Sequence, residues 1–538
     1  MTAVAEAPAL APRTGGTRQL AGTGTLLRLA LRRDRVMMPV WVVVVAGMVV
    51  SMPGALGKTY GTAAERADAM RSMNANSSMR ALYSPVFGDS LGALSAWRIG
   101  VYAGVLAAVM SLIVVVRHTR DEEETGRQEM LSAAMVGRRA PLTAALLAAF
   151  VANAAVALIV AGGLAGQDPA GALGLGLGIA GIGMLFATMA AIVAQLTESA
   201  RLAKGLTAGV LGAAYVLKAA GDAGSERGES VLTWISPLGW TENLRAFAGE
   251  RWWVLLLTAA AIGAQGTVAY VLAGRRDVGM SFLPTRPGPA EGRIATAGGL
   301  AWRLQRGGVL GWTLGFFVSG VVFGGMTEGA ADIVGDNANT RDIIERMGGQ
   351  SGLTDAFLAT MVGMLGMVAS LYAVASVLRL NGEETSQRAE PVLANAVGRL
   401  RWAAGHLVIA FGGAVLLMLV GGLGLTLGYG KDLGPILGAC LVQVAAVWAL
   451  GGLAVLLVGA FPRAAVAAWG VAGVCLAIGW LGPALDLPRT AMNLSPFGHL
   501  PKLPGSEMAW APVAALLGVA CGLVAAGLAG LRRRDMIS

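Results

Sequence analysis

The carboxylates and arginines of this chain gather in one short motif that occurs twice. The first copy reads DEEETGRQEMLSAAMVGRR, from Asp121 to Arg139, and the second GEETSQRAEPVLANAVGRL, from Gly382 to Leu400. Aligned without a gap, Glu122, Glu123, Arg127, Glu129, Val136, Gly137 and Arg138 fall on Glu383, Glu384, Arg388, Glu390, Val397, Gly398 and Arg399. The chemistry open to such residues is charge-assisted hydrogen bonding between carboxylate and guanidinium, the strongest kind a side chain makes. In the first copy Glu122, Glu123, Arg127 and Glu129 lie within two helical turns and precede the apolar Met130, Leu131 and Met135. That pattern suits a short helix with a charged face and an apolar anchor. Clustered carboxylates are poor neighbours for anionic lipid headgroups and good ones for a basic protein partner. If the carboxylates meet partner arginines in a desolvated contact, removing one would cost roughly 2–5 kcal/mol. A solvated loop that merely stays out of the bilayer explains one copy as well; duplication favours a task done twice.

The other candidate chemistry is thin. Gly57-Lys58-Thr59 resembles the end of a phosphate-binding loop, but G-x-x-x-x-G-K-[ST] needs glycine where Met52 stands. His118, His406 and His499 lie at span ends or in loops, and Cys440, Cys475 and Cys521 show no metal-ligand spacing, so haem, copper and disulfide frameworks are not expected. Asn153, Gln195, Gln265 and Gln443 are the main polar residues inside apolar stretches. Amides at such positions usually bond to neighbouring helices. No chain of Asp, Glu or His is laid out as a proton relay. A path lined by Leu, Val, Met, Ala and Gly would favour a hydrophobic cargo.

The elements that carry these residues follow from composition. Of 538 residues 55% are hydrophobic and only 14% charged, with 78 glycines, and the mean hydropathy is +0.64. Soluble domains carry about a quarter charged residues, so this is an all-α polytopic membrane protein. A span needs about 20 apolar residues, which gives about twelve: Val36–Leu56, Trp97–Val116, Pro141–Gly163, Ala172–Gln195, Leu206–Ala220 and Trp252–Ala273, then Val309–Met326, Ala356–Leu378, Trp402–Thr426, Pro435–Ala460, Ala464–Leu485 and Met508–Leu531. Lys218 weakens the fifth, where it is expected to snorkel to the interface. Residues 1–24 read as a disordered cytoplasmic tail and 280–299, rich in Pro and Gly, as a cytoplasmic linker between halves 25–279 and 300–538. The net charge of +9 is concentrated at the ends facing the cytoplasm when both termini are inside, as the positive-inside rule requires; nucleic acid is not an expected partner.

Three more landmarks recur in order. Leu26–Arg32 and Leu300–Arg306 precede the first and seventh spans as short amphipathic helices, expected to lie in the interface. Ser236-Pro237-Leu238-Gly239-Trp240 precedes the sixth span and Ser495-Pro496-Phe497-Gly498 the twelfth; each is either an extracellular turn lidding an exit or a helix-capping turn. Arg275-Arg276-Asp277 follows the sixth span and Arg533-Arg534-Asp535 the twelfth. Two parallel six-helix repeats follow, related by an axis along the membrane normal.

On these residues the chain resembles the membrane subunits of bacterial ABC exporters of the ABC-2 kind. Ser236–Trp240 and Leu353-Thr354-Asp355-Ala356-Phe357 are similar to segments of the fused polyketide antibiotic exporters, the tetronasin-type permeases. The resemblance implies that the two charged segments are coupling helices docking two copies of a separate ABC ATPase subunit. ATP and Mg would bind on that partner, and this chain would hold no cofactor and catalyse no reaction. Cargo, a hydrophobic small molecule, would leave the cytoplasmic membrane outward. The second copy departs by Pro391 and Asn395, and His499 stands where the first half has Trp240. Alternatives are an ion-coupled transporter with two six-helix halves, or an ATPase-paired membrane regulator.

Overall fold

The computed structural model describes residues 19–127, 136–277, 279–283, 292, 294–334, 352–395, 397–481 and 488–535. Every regular element among them is helical, and the chain divides into two compact units, Met1–Pro287 and Gly288–Ser538. Eleven helices are long and apolar enough to cross a membrane among the described residues. The expected span Ala464–Leu485 is seen only as the apolar helix Ala467–Leu481, because 482–487 lie outside the described residues.

The first unit runs α1 (Thr23–Arg33), α2 (Met37–Thr59), α3 (Ala63–Ala75), α4 (Ser77–Tyr83), α5 (Leu91–Arg117), α6 (Arg120–Glu124), α7 (Ala140–Leu164), α8 (Pro169–Leu196), α9 (Ala200–Ala223), α10 (Val231–Ile235), α11 (Pro237–Asn243) and α12 (Trp253–Arg275). Helix starts are written locally. Ser90 accepts from Ala93 N at 3.0 Å and Asp168 from Gly171 N at 2.6 Å, satisfying amides that a first turn leaves open. Thr62 and Glu65 form a reciprocal capping box at α3. Helices α5 and α8 form the centre, each 72% buried over its apolar window, while α12 is 17% buried and lies at the rim. Small residues permit the central approach: a Cβ on Gly92 or Gly171 would strike the ring of Phe247, which wedges between α5 and α8. Asn153 of α7 donates to Ser111 Oγ of α5 at 2.8 Å, and Thr188 of α8 donates to Gln265 of α12 at 2.7 Å, so these amides and hydroxyls tie helix to helix.

The second unit runs α13 (Ala297–Val334), α14 (Leu353–Thr385), α15 (Glu390–Leu393), α16 (Arg399–Tyr429), α17 (Leu433–Ala460), α18 (Ala467–Leu481), α19 (Arg489–Met492) and α20 (Trp510–Arg533). The burial order repeats: α14 and α17 are the central pair and α20 the rim. Helices α13 and α16 meet backbone to backbone, since a Cβ on Gly320, Gly424 or Gly428 would overlap Gly421 O, Phe317 O or Val321 O. This is how glycine-rich spans associate where water supplies no hydrophobic drive.

Two sequence expectations need correction. Residues 19–24 belong to the fold rather than to a disordered tail: Gly137 N donates to Ala21 O at 2.9 Å and Arg139 N to Gln19 O at 3.0 Å. The amphipathic lead-in is a separate helix only in the first half. Asp34, fully buried, accepts from His118 at 2.6 Å and pairs with Arg117 at 3.3 Å, fixing the break between α1 and α2. At the corresponding place the second half has Gly307-Gly308, and Leu300–Arg306 continues without interruption into the 38-residue α13.

Candidate coupling site

The charged segments sit where the central helix of each unit ends. In the first unit α5 gives way to α6, which carries Asp121, Glu122, Glu123 and Glu124. The Glu123 side chain is 5% exposed, and both its oxygens accept from Arg276, at 2.6 and 2.7 Å. Arg120, itself buried, also pairs with Glu123 and donates to Met280 O at 2.9 Å. Arg276 Nε donates to Gln195 Oε1 at 2.9 Å at the end of α8, and Arg138 donates to the carbonyl of Arg276 at 2.8 Å. The ends of α5, α7, α8 and α12 are thereby tied by one buckle.

The second unit builds the same buckle. Glu384, 1% exposed, accepts from Arg534 through both oxygens, at 2.5 and 2.6 Å. Arg534 donates to Gly459 O at 3.0 Å and Val458 O at 3.2 Å at the end of α17, and Arg399 donates to the Arg534 carbonyl. Each repeat thus keeps a glutamate, the arginine after the last span and the arginine before the third span in the same relation. Bidentate guanidinium–carboxylate geometry adds direction to the attraction, which suits a joint.

This overturns one expectation. Glu123 and Glu384 do not offer free carboxylates to a partner's arginines; their own chain supplies the cations, as burial of charge requires a paired partner. Sequence reading found both members of the pair, the acidic segment and the Arg-Arg-Asp landmark, but not that they meet. Their repetition at matched places in each half was the available signal.

The remaining segment residues differ in exposure. Glu122, 15% exposed, pairs with Arg33 of α1 and lies 3.5 Å from Arg127. Arg127, Arg388 and Glu390 are exposed; Glu383 is buried and lies 3.5 Å from Arg379. Gly137 is buried and Gly398 exposed at the start of α16. Glu129 lies outside the described residues, as do Met130, Leu131 and Met135. Lys204 pairs with Asp121 at 2.8 Å in the first half, where the second has Gly382. Arg120 likewise has Asn381 as its counterpart.

The Ser-Pro turns also repeat in detail. Ser236, buried, donates to Ala214 O at 2.7 Å on α9 and caps α11 by accepting from Leu238 N at 3.3 Å, with Pro237 in the first turn. Ser495, buried, reaches Cys475 O at 3.5 Å on α18, and Pro496 opens a short 3-10 turn. A Cβ on Gly239 would overlap Thr233 O and one on Gly498 would lie 2.5 Å from Met492 O, the same backward contact in both halves. Trp240 Nε1 donates to Trp234 O at 2.8 Å, and Trp234 stacks on Trp253. Both turns dock on the fifth span of their unit, and the first also caps α11.

Lys218 does not reach the interface. It is fully buried between Asp222 and Glu242, and sequence reading missed this because Glu242 lies on α11, far along the chain from α9.

Nearly all of the chain aligns with a bacterial protein. The "Multidrug efflux system permease protein Rv1217c" of Mycobacterium tuberculosis is 42% identical over 527 residues, covering 96% of this chain and 95% of that protein. The chain belongs to this family of multidrug efflux permeases. Residues 294–532 of the permease also match the family described as "Multidrug efflux system permease Rv1217c, C-terminal domain". This permease is a multi-pass membrane protein, and its likeness runs to multidrug efflux systems rather than to the tetronasin-type exporters.

Proposed function

We propose that this chain is the permease subunit of an ATP-driven exporter of the ABC-2 kind, with both termini in the cytoplasm. It moves a hydrophobic, drug-like molecule outward across the cytoplasmic membrane, and a separate ATPase supplies the energy. The charged segments 121–139 and 382–400 each receive one ATPase copy, and ATP and Mg bind on those copies. The observation that carries this reading is the duplicated buckle. A segment pushed from outside must hand the push to the helices, and Glu123–Arg276 and Glu384–Arg534 join each segment to the last span of its half. The exposed Arg127, Arg388 and Glu390 are left to face the partner. The turns at Ser236 and Ser495 brace the opposite end of each bundle.

An ion-coupled transporter is the second reading, favoured by the buried Lys218–Asp222–Glu242 group. It is the lesser one because no further buried acid continues from that group through the middle of the unit among the described residues.

Copurification separates the two. The full chain, expressed with its genomic neighbours, should retain an ATP-hydrolysing subunit, and the exposed double change Arg127→Glu with Arg388→Glu should release it without lowering the unfolding temperature. Drug efflux driven by a proton gradient with no ATPase present would refute the proposal.

A further inference from the structure

The first unit buries a charged group that the coupling site does not use. Lys218 Nζ lies 2.9 Å from Asp222 Oδ2 and 3.4 Å from Glu242 Oε2; Lys218 and Asp222 are fully buried, and the Glu242 side chain is 4% exposed. One ammonium therefore stands between two carboxylates. Thr233 donates to Asp222 Oδ1 at 2.7 Å, and Asp222 Oδ2 and the Glu242 carboxylate face the Lys218 ammonium. Glu242 also lines a cavity of about 30 Å³ together with Ser84, Trp97, Thr241 and Arg245, large enough for a water molecule.

The other charged groups nearby are engaged elsewhere. Arg80 of α4 donates to the carbonyls of Asn74, Asp222 and Ala223, so its charge serves the end of α9. Arg98 of α5 stacks over Tyr83, and Arg245 over Phe87. Tyr102 of α5 and Tyr215 of α9 both point their hydroxyls at Leu82 O. Among the described residues Lys218 is the one cation within ion-pair distance of either carboxylate. Two adjacent carboxylates in a poorly polarisable setting do not both stay ionised when only one cation faces them.

We infer that Lys218, Asp222 and Glu242 form a proton-binding site, in which Glu242 takes one proton from water in the adjoining cavity. Hydronium gives up the proton, water remains, and the carboxylate becomes a carboxyl that can donate towards Asp222. The group then carries no net charge, and α11 docks on α9 without a buried uncompensated anion. Burial pushes the Glu242 carboxyl up to about 8, with Lys218 drawing it down and Asp222 adding to the rise. Aligning Ser236 with Ser495 puts Ala477, Leu481 and Pro501 at these positions in the second half.

The test is infrared difference spectroscopy of the full chain in lipid nanodiscs, titrated from alkaline to mildly acidic buffer. A carboxyl C=O band should grow in with a midpoint near 8 and disappear in Glu242→Gln. Asp222→Asn should move the midpoint down, by removing a neighbouring anion, and Lys218→Met should move it up, by removing the cation. These two variants decide the matter even if Glu242→Gln does not fold. Absence of a titrating band in the wild type, a band that survives in Glu242→Gln, or a midpoint indifferent to both charge changes would overturn the assignment.

Discussion

Replacing Arg534 by Met should unfasten the second buckle, and its size can be worked from the contacts. The substitution leaves Glu384, 1% exposed, without its bidentate partner, and breaking a buried pair in this way costs about 3–5 kcal/mol. It also frees the carbonyls of Gly459 and Val458, each hydrogen bond being worth about 0.5–1.5 kcal/mol. Arg534 keeps 16% of its side chain in solvent, which screens part of the attraction, so a total near the lower bound, about 3 kcal/mol, is expected. The pairwise part is isolated by a double-mutant cycle of Arg534→Met with Glu384→Gln, read from equilibrium unfolding in mixed micelles, and should be about 2 kcal/mol. Arg71–Asp68 is the internal reference: both side chains are mostly exposed, at 75% and 69%, and the coupling should be about 0–1 kcal/mol. A coupling for Glu384–Arg534 no larger than the reference pair would refute the reasoning.

Three further outcomes are expected. Gly424→Leu should force α13 and α16 apart and abolish a stable second unit, whereas Gly412→Leu on the same helix, with open space at its Cβ, should leave the unfolding temperature unchanged. Asn153→Leu removes the bond to Ser111 and should lower stability by about 0.6–1.7 kcal/mol in a denaturing-detergent titration. The Glu242 carboxyl binds its proton more tightly in the folded chain than in the unfolded one, so the stability it confers is full below its ordinary value of 4.5. That stability is lost as pH rises to about 8 and is flat beyond; the unfolding temperature should fall across that window relative to Glu242→Gln, and a parallel fall in both proteins would contradict it.

Much of the architecture was legible in the sequence because apolar runs long enough to span a bilayer have few other uses. The repeat was legible because Glu122–Arg138 and Glu383–Arg399 keep their spacing. What stayed hidden was contact across long stretches of chain. Glu123 and Arg276 are both visible as charged residues, but nothing in local spacing says that one closes on the other. The same holds for Lys218 and Glu242, where a lysine near a span end reads as a snorkelling residue until α11 is seen to cover it. The break near Asp34 was expected in both halves, and its lack in the second was missed for a related reason: what holds it in the first is Arg117 and His118 at the end of another helix.

The glycine contacts of the second unit have a mechanical corollary. Helices α13 and α16 interlock like the teeth of a zip, carbonyl against bare Cα, so neither can slide lengthwise without dragging the other. A displacement delivered at Arg399, where α16 begins, would travel to α13 with little lost on the way. In the first unit α2 and α7 touch through Gly163 and the side chain of Val50 instead, so a side chain rather than bare backbone stands between them.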